Sequence, residues 1–153
     1  MDSDLRQAAV VALSELGRSH DYRDRADAGH GLAGFAEMHE VIEPLLELVL
    51  DPDDTFVTRR TVEALLRRMD RVGLAIVARA LPAANSNHSE WIQTASVDVF
   101  GVFSDDRDSA MRLCEELSRD ADNRVALGAR LLHEFLAEID PVLRPAERGR
   151  ILP

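Results

Sequence analysis

The sequence predicts an all-α chain, folded as a short right-handed solenoid of about three to four helical hairpins with a terminal cap at each end. Three observations predict it. Apolar residues recur at steps of three and four along most of the chain, the spacing that lines one face of a helix. No window of alternating apolar and polar residues competes with that pattern, so no strand is expected. A string rich in small residues recurs at intervals of 31 to 35 positions, the period of stacked helical hairpins. With 153 residues, 46% of them apolar and 30% charged, one domain spanning 1–153 is expected: a capping helix over 1–20, repeats over 21–138 and a cap or tail over 139–153.

In the first helix, residues 5–16, the expected inner face is Leu5, Ala8, Ala9, Ala12, Leu13 and Leu16; Asp2 or Ser3 caps its start and Gly17 stops it. A second helix opens at Asp21, carries Asp24 in its first turn and directs Ala28, Leu32, Phe35 and Ala36 inward. The third, 39–50, carries Val41, Ile42, Leu45, Leu46, Leu48 and Val49 and ends at Asp51-Pro52. Pro44 is tolerated in its first turn, where a backbone N–H has no intrahelical partner to lose. Asp53 and Asp54 cap a fourth helix over 55–69, and a fifth over 71–81 stops at Pro82. Residues 83–88 read as the longest loop, after which Ser89 caps a sixth helix running to 103. Ser104, Asp105 and Asp106 cap a seventh to about 119, and Asp120 or Asp122 caps a long last helix that Asp140-Pro141 terminates.

Residues 25–32, 58–65, 93–100 and 124–131 can be laid over one another, closing on Leu32, Leu65, Phe100 and Leu131. Ala28, Ala64, Ala95 and Ala129 inside these strings permit close approach of neighbouring helices. With an Arg near its start, an Ala-rich middle, a closing Leu and a second helix ending in Leu50-Asp51-Pro52, the pattern resembles the HEAT and HEAT-like repeats over about residues 21–138. The resemblance implies an α-solenoid whose second helices line the concave side. It implies little about activity, since such repeats carry scaffolds, adaptors and a few enzymes. The third repeat departs from the pattern by starting Trp91-Ile92-Gln93 without Arg, and the fourth lacks a clear second helix before Pro141.

Acidic residues number 28 against 18 basic ones, a formal net charge of −10, and every base is Arg. Binding nucleic acid or an anionic membrane surface calls for a basic face, so neither partner is expected. All Asp residues but Asp27 and Asp98 fall at or near predicted helix boundaries, where they cap free N–H groups, so much of the acidic charge is architectural. The single Cys114, between Leu113 and Leu117, forms no internal disulfide and reads as a small buried hydrophobe. No segment approaches ~20 consecutive apolar residues. The start Met1-Asp2-Ser3-Asp4 lacks a secretory leader's basic and apolar runs, so a cytoplasmic location is expected.

The resemblance directs attention to the polar stripes of the second helices. Glu40, Glu43 and Glu47 share one face of the third helix; Arg71 and Arg79 occupy the equivalent face of the fifth; Asp108, Arg112, Glu115 and Arg119 that of the seventh. A ridge passing from acidic to basic to mixed selects a protein surface by charge complementarity, whereas the same residues as a solvated face would be laced with i,i+4 pairs. Trp91, the only Trp, is a candidate anchor or a staple for its helix start. Arg59, Arg60, Arg67, Arg68 and Arg71 either hold an anion or tie helices to capping Asp residues.

Catalytic signatures are sparse. The His39-Glu40 and His133-Glu134 dipeptides resemble half of the ligand set of the HEAT-repeat deoxyhypusine hydroxylases, which carry four; His20, His30 and Glu37 form a looser cluster. There is no Gly-x-Ser-x-Gly elbow and no phosphate-binding Gly-rich loop. The expectation is therefore a protein-protein interaction module, an adaptor, regulator or inhibitor-type partner, with no catalytic residues, no metal and no cofactor. Its partner is another protein, and it is a monomer or weak homo-oligomer, since Val142, Leu143, Ile151 and Leu152 leave apolar surface at the C-terminal end. The alternative is a HEAT-like repeat enzyme of the metal-dependent hydroxylase, bilin lyase or DNA glycosylase type.

Overall fold

The computed structural model describes residues 2–145, and they are all-helical. The α-helices are α1 (Ser3–Leu16), α2 (Tyr22–Ala33), α3 (Ile42–Val49), α4 (Thr55–Leu66), α5 (Arg71–Ala80), α6 (Ser86–Phe100), α7 (Ser104–Leu117) and α8 (Asn123–Ala137). Short 3-10 turns, His39–Val41 and Leu81–Ala83, lead into α3 and out of α5. Pro44 indeed lies in the first turn of α3.

Asp side chains start many of these helices. Asp2, Asp21, Asp54, Asp70 and Asp122 each accept a hydrogen bond from a backbone N–H in the first turn that follows. Two expected caps differ. Asn85, not Ser89, caps α6: its side chain accepts from the His88 N–H, and the His88 ring accepts from the Asn85 N–H in a reciprocal capping box. That box pulls the helix start back into what reads as loop. At α7 the N-cap is Phe103, with no side-chain bond, and Ser104 is buried inside the first turn.

The expected inner face of α1 is also rotated. Val10 is its buried residue and Leu13 and Leu16 pack against the core, while Leu5, Ala8 and Ala12 face outward. On α2, a Cβ at Gly31 would stand 2.9 Å from the Leu13 side chain, so the missing side chain makes the seat for Leu13, one of the expected inner residues.

Packing follows the small residues. Helices α2, α4 and α6 lie side by side in one row, and α3 and α5 lie beside each other and beside α4. Gly29 of α2 admits Thr61 of α4, where an added Cβ would come within 2.0 Å of the Thr61 hydroxyl oxygen. Gly73 of α5 similarly lies against the Leu65 carbonyl of α4. Helix α8 does not simply extend the row: it packs chiefly on α5 and α7 and touches α6 only lightly. Gly128 allows this, since its backbone meets the Ala78 carbonyl of α5 so closely that no side chain fits between.

Of the residues that close the four aligned strings, Leu32, Leu65 and Phe100 are buried, whereas Leu131 is only half-buried and its neighbour Leu132 is buried instead. At the C-terminal end, residues 101–104 pair with 141–143 through Leu143 N–H to Val102 O at 2.7 Å and Ser104 N–H to Leu143 O at 2.9 Å. Val142 and Leu143 are exposed, while Ile151 and Leu152 lie outside the described residues. No described helix is long and apolar enough to cross a membrane.

Candidate functional site

Helix α3 buries Leu45, Leu48 and Val49 in the core, against which Leu46 and Leu50 also pack while staying partly exposed. Positions 43, 46, 47 and 50 share the other side of the helix, because they are spaced three and four apart. Glu43, Leu46, Glu47 and Leu50 therefore form one stripe of alternating carboxylate and leucine, and all four line a groove of about 710 Å³. Its other lining residues are Arg79 and Ala80 at the end of α5, Pro82 and Ala83 of the 3-10 turn, Arg124 from the start of α8, and Pro52. The groove exists because α8 crosses to α5 at Gly128, which carries Arg124, one turn earlier, to the rim.

Charges around it are unevenly matched. An Arg79 Nη stands 3.6 Å from Glu43 and its Nε 3.9 Å from Asp122, both longer than a hydrogen bond. That Nε is buried with no hydrogen-bond partner. Arg124 stands 3.8 Å from the same Asp122. Glu47 is exposed, and among the described residues it has no cation at ion-pair distance.

The structure thus brings Glu43, Glu47 and Arg79 together and leaves the other expected stripe residues elsewhere. Glu40 is exposed in the 3-10 turn ahead of α3 and does not line the groove. Arg71 reaches across to α7, 3.2 Å from Glu116 and 3.9 Å from Asp120. Arg112 donates to the Ser109 hydroxyl at 3.0 Å, Glu115 meets His133 at 3.3 Å, and Arg119 is exposed at the end of the same helix. Trp91 is half-buried in α6, its ring 5.9 Å from the Arg59 guanidinium, which also holds Asp98 at 2.9 Å. The arginine cluster does not converge: Arg67 pairs with Glu63, and Arg68 with Glu37 and Asp70 while donating to the Ala33 carbonyl.

Leu46, Leu50, Pro52, Ala80, Pro82, Ala83 and Arg124 line the groove but were absent from the expected site. The spacing of Leu46 and Leu50 relative to Glu43 and Glu47 was visible, but the leucines read as core. Arg124 carried no signal, because its position depends on where α8 packs.

Next to the groove lies a buried hub that the sequence read only as a helix stop. The Asp51 carboxylate, 4% exposed, accepts from Arg25 Nε at 2.7 Å and from the N–H groups of Asp53 and Asp54 at 3.0 and 2.9 Å. Arg25 also donates to the Ser19 and His20 carbonyls, and His88 Nε2 donates to the Asp51 carbonyl at 2.8 Å. Burial alone pushes the Asp51 carboxyl up, but Arg25 and the two N–H groups outweigh it and hold it below the ordinary carboxylate range. These bonds join α2, α6 and the loop entering α4, the loop that also carries Pro52.

Burial pushes the Cys114 thiol up to about 12, so it stays protonated near neutrality. His39 stands in the turn before α3 and His133 in α8 beside Glu115. Among the described residues, no three His, Cys, Asp or Glu side chains are gathered where one ion could be held. Comparison with known proteins finds no matching family model, no matching curated protein and no matching solved structure.

Proposed function

We propose that this protein is a non-catalytic protein-protein interaction module, built as a short HEAT-like α-solenoid, whose partner docks in the groove between α3, the end of α5 and α8. The observation that carries the reading is the groove itself, with leucine, proline and alanine along its length and charged side chains at its rim. An apolar floor supplies affinity on desolvation, and a charged rim supplies orientation and discrimination. The adjacent row of α2, α4 and α6, with α3 and α5 alongside, supports the solenoid; α8 is its modified terminal element, turned to build a wall.

The test is site-specific photo-crosslinking in the source organism. A photoreactive residue at Ala83, exposed in the groove, is compared with one at Ala8, exposed on α1. A discrete crosslinked partner from position 83, absent from position 8, is the expected result. Equal products from both positions, or none from position 83, would refute the docking site.

A further inference from the structure

We propose that the segment seated in this groove is basic as well as apolar, a stretch of a partner protein that pairs leucine-like side chains with Arg or Lys. This rests on the reading of the groove as a docking surface. Glu43 and Glu47 lie one helical turn apart on α3, an arrangement in which like charges repel. A cation placed between them reverses the sign of that interaction. Glu47 is not satisfied from within: it meets no cation at ion-pair distance among the described residues, whereas Glu43 has Arg79 at 3.6 Å.

The two arginines at the rim do not offset this. Arg79 is shared between Glu43 and Asp122, and Arg124 faces the same Asp122. An acidic segment would have to take these arginines from their carboxylates while bringing its own charge against Glu47. A basic segment instead meets an open carboxylate directly, and the chain's net charge of −10 favours its approach. Apolar side chains of the segment would rest on Leu46, Leu50 and Pro82, between the carboxylates and the 3-10 turn.

The probe is a fluorescent synthetic peptide of Leu and Arg at helical spacing, compared with the same peptide carrying Glu in place of every Arg. Binding is read by anisotropy against the wild-type chain, Glu47→Gln and Glu90→Gln. Glu90 is exposed in α6 and does not line the groove, so its loss changes net charge equally without touching the site. The Arg peptide should bind and the Glu peptide should not. Glu47→Gln should weaken the Arg peptide about tenfold, the loss of one charge-assisted contact, with Glu90→Gln within about twofold of wild type. Equal binding of both peptides, or equal effects of the two variants, would overturn the proposal. A partner crosslinked at Ala83 alongside such a result would retain the docking site and reject its basic occupant. No crosslink at Ala83 would reject both.

Discussion

Gly128→Ala adds one methyl group at the closest approach of α8 to α5. Its Cβ would sit 1.5 Å from the Ala78 carbonyl oxygen and 2.4 Å from the carbonyl carbon, where ordinary contact begins at 3.4 Å. The obstacle is helix backbone, which has no rotamer to change, so α8 must retreat by about 2 Å, far enough to forfeit most of the dispersion attraction across the contact. Overpacking of this kind costs ~1–3 kcal/mol or more, and the buried Val125, Ala129 and Leu132 on α8 lose contact as well. Alanine's better helix propensity returns about 1 kcal/mol. A net loss of about 2 kcal/mol is expected, which for a chain of this size lowers Tm by ~4–8 °C. Gly17→Ala is the control: its Cβ meets only ordinary contacts of 3.4 to 3.6 Å, and it should stabilise by ~0.4–1 kcal/mol through the unfolded chain. Differential scanning calorimetry compares the two. A Gly128→Ala protein melting at or above wild type would show that propensity, not the α5–α8 contact, governs this position. It would also remove the basis for placing Arg124 at the groove.

Asp51→Asn should destabilise by ~3–5 kcal/mol at pH 7, because it leaves the buried Arg25 guanidinium without its counter-charge. The folded carboxyl titrates below its unfolded value, so its contribution is fully present above the unfolded pKa and is lost as pH falls through the folded one; denaturant titrations should therefore show the gap between wild type and variant narrowing in acid. Asn85→Ala should cost ~1 kcal/mol in the same assay and Ser89→Ala much less, since Asn85 holds the cap of α6; equal effects would contradict the capping box. The Cys114 thiol should resist an aromatic disulfide reagent at pH 8 in the native chain and react at once in denaturant; rapid native labelling would contradict its burial.

How much was legible depends on the range of the interaction involved. Helix presence follows from local periodicity and capping, so α2, α4 and α8 start close to the residues their Asp caps mark. Asn85 was hidden because the reciprocal bond with His88 forms only once the turn closes, and Asn-Ser-Asn in sequence looks like loop. The outward face of α1 was misassigned because the helix carries apolar residues on more than one side, and Val10 is buried where Leu5, Ala8 and Ala12 are exposed. The candidate site divides in the same way. Glu43, Glu47 and Arg79 were identifiable as polar stripes on second helices, whereas Arg71, Arg112, Glu115 and Arg119 shared that description and ended up away from the groove.

Amino-acid order by itself determined the all-helical class, the approximate helix count and the recurrence of small residues every 33 or so positions, since all of these rest on interactions within one or two turns. The tertiary structure alone decided that α8 crosses onto α5, that Arg79 faces both Glu43 and Asp122, and that Asp51 anchors three segments instead of merely ending one. Those outcomes depend on backbone approaches between residues far apart in the chain, such as Gly128 and Ala78, and a side-chain pattern along one helix carries no record of which distant carbonyl it will meet.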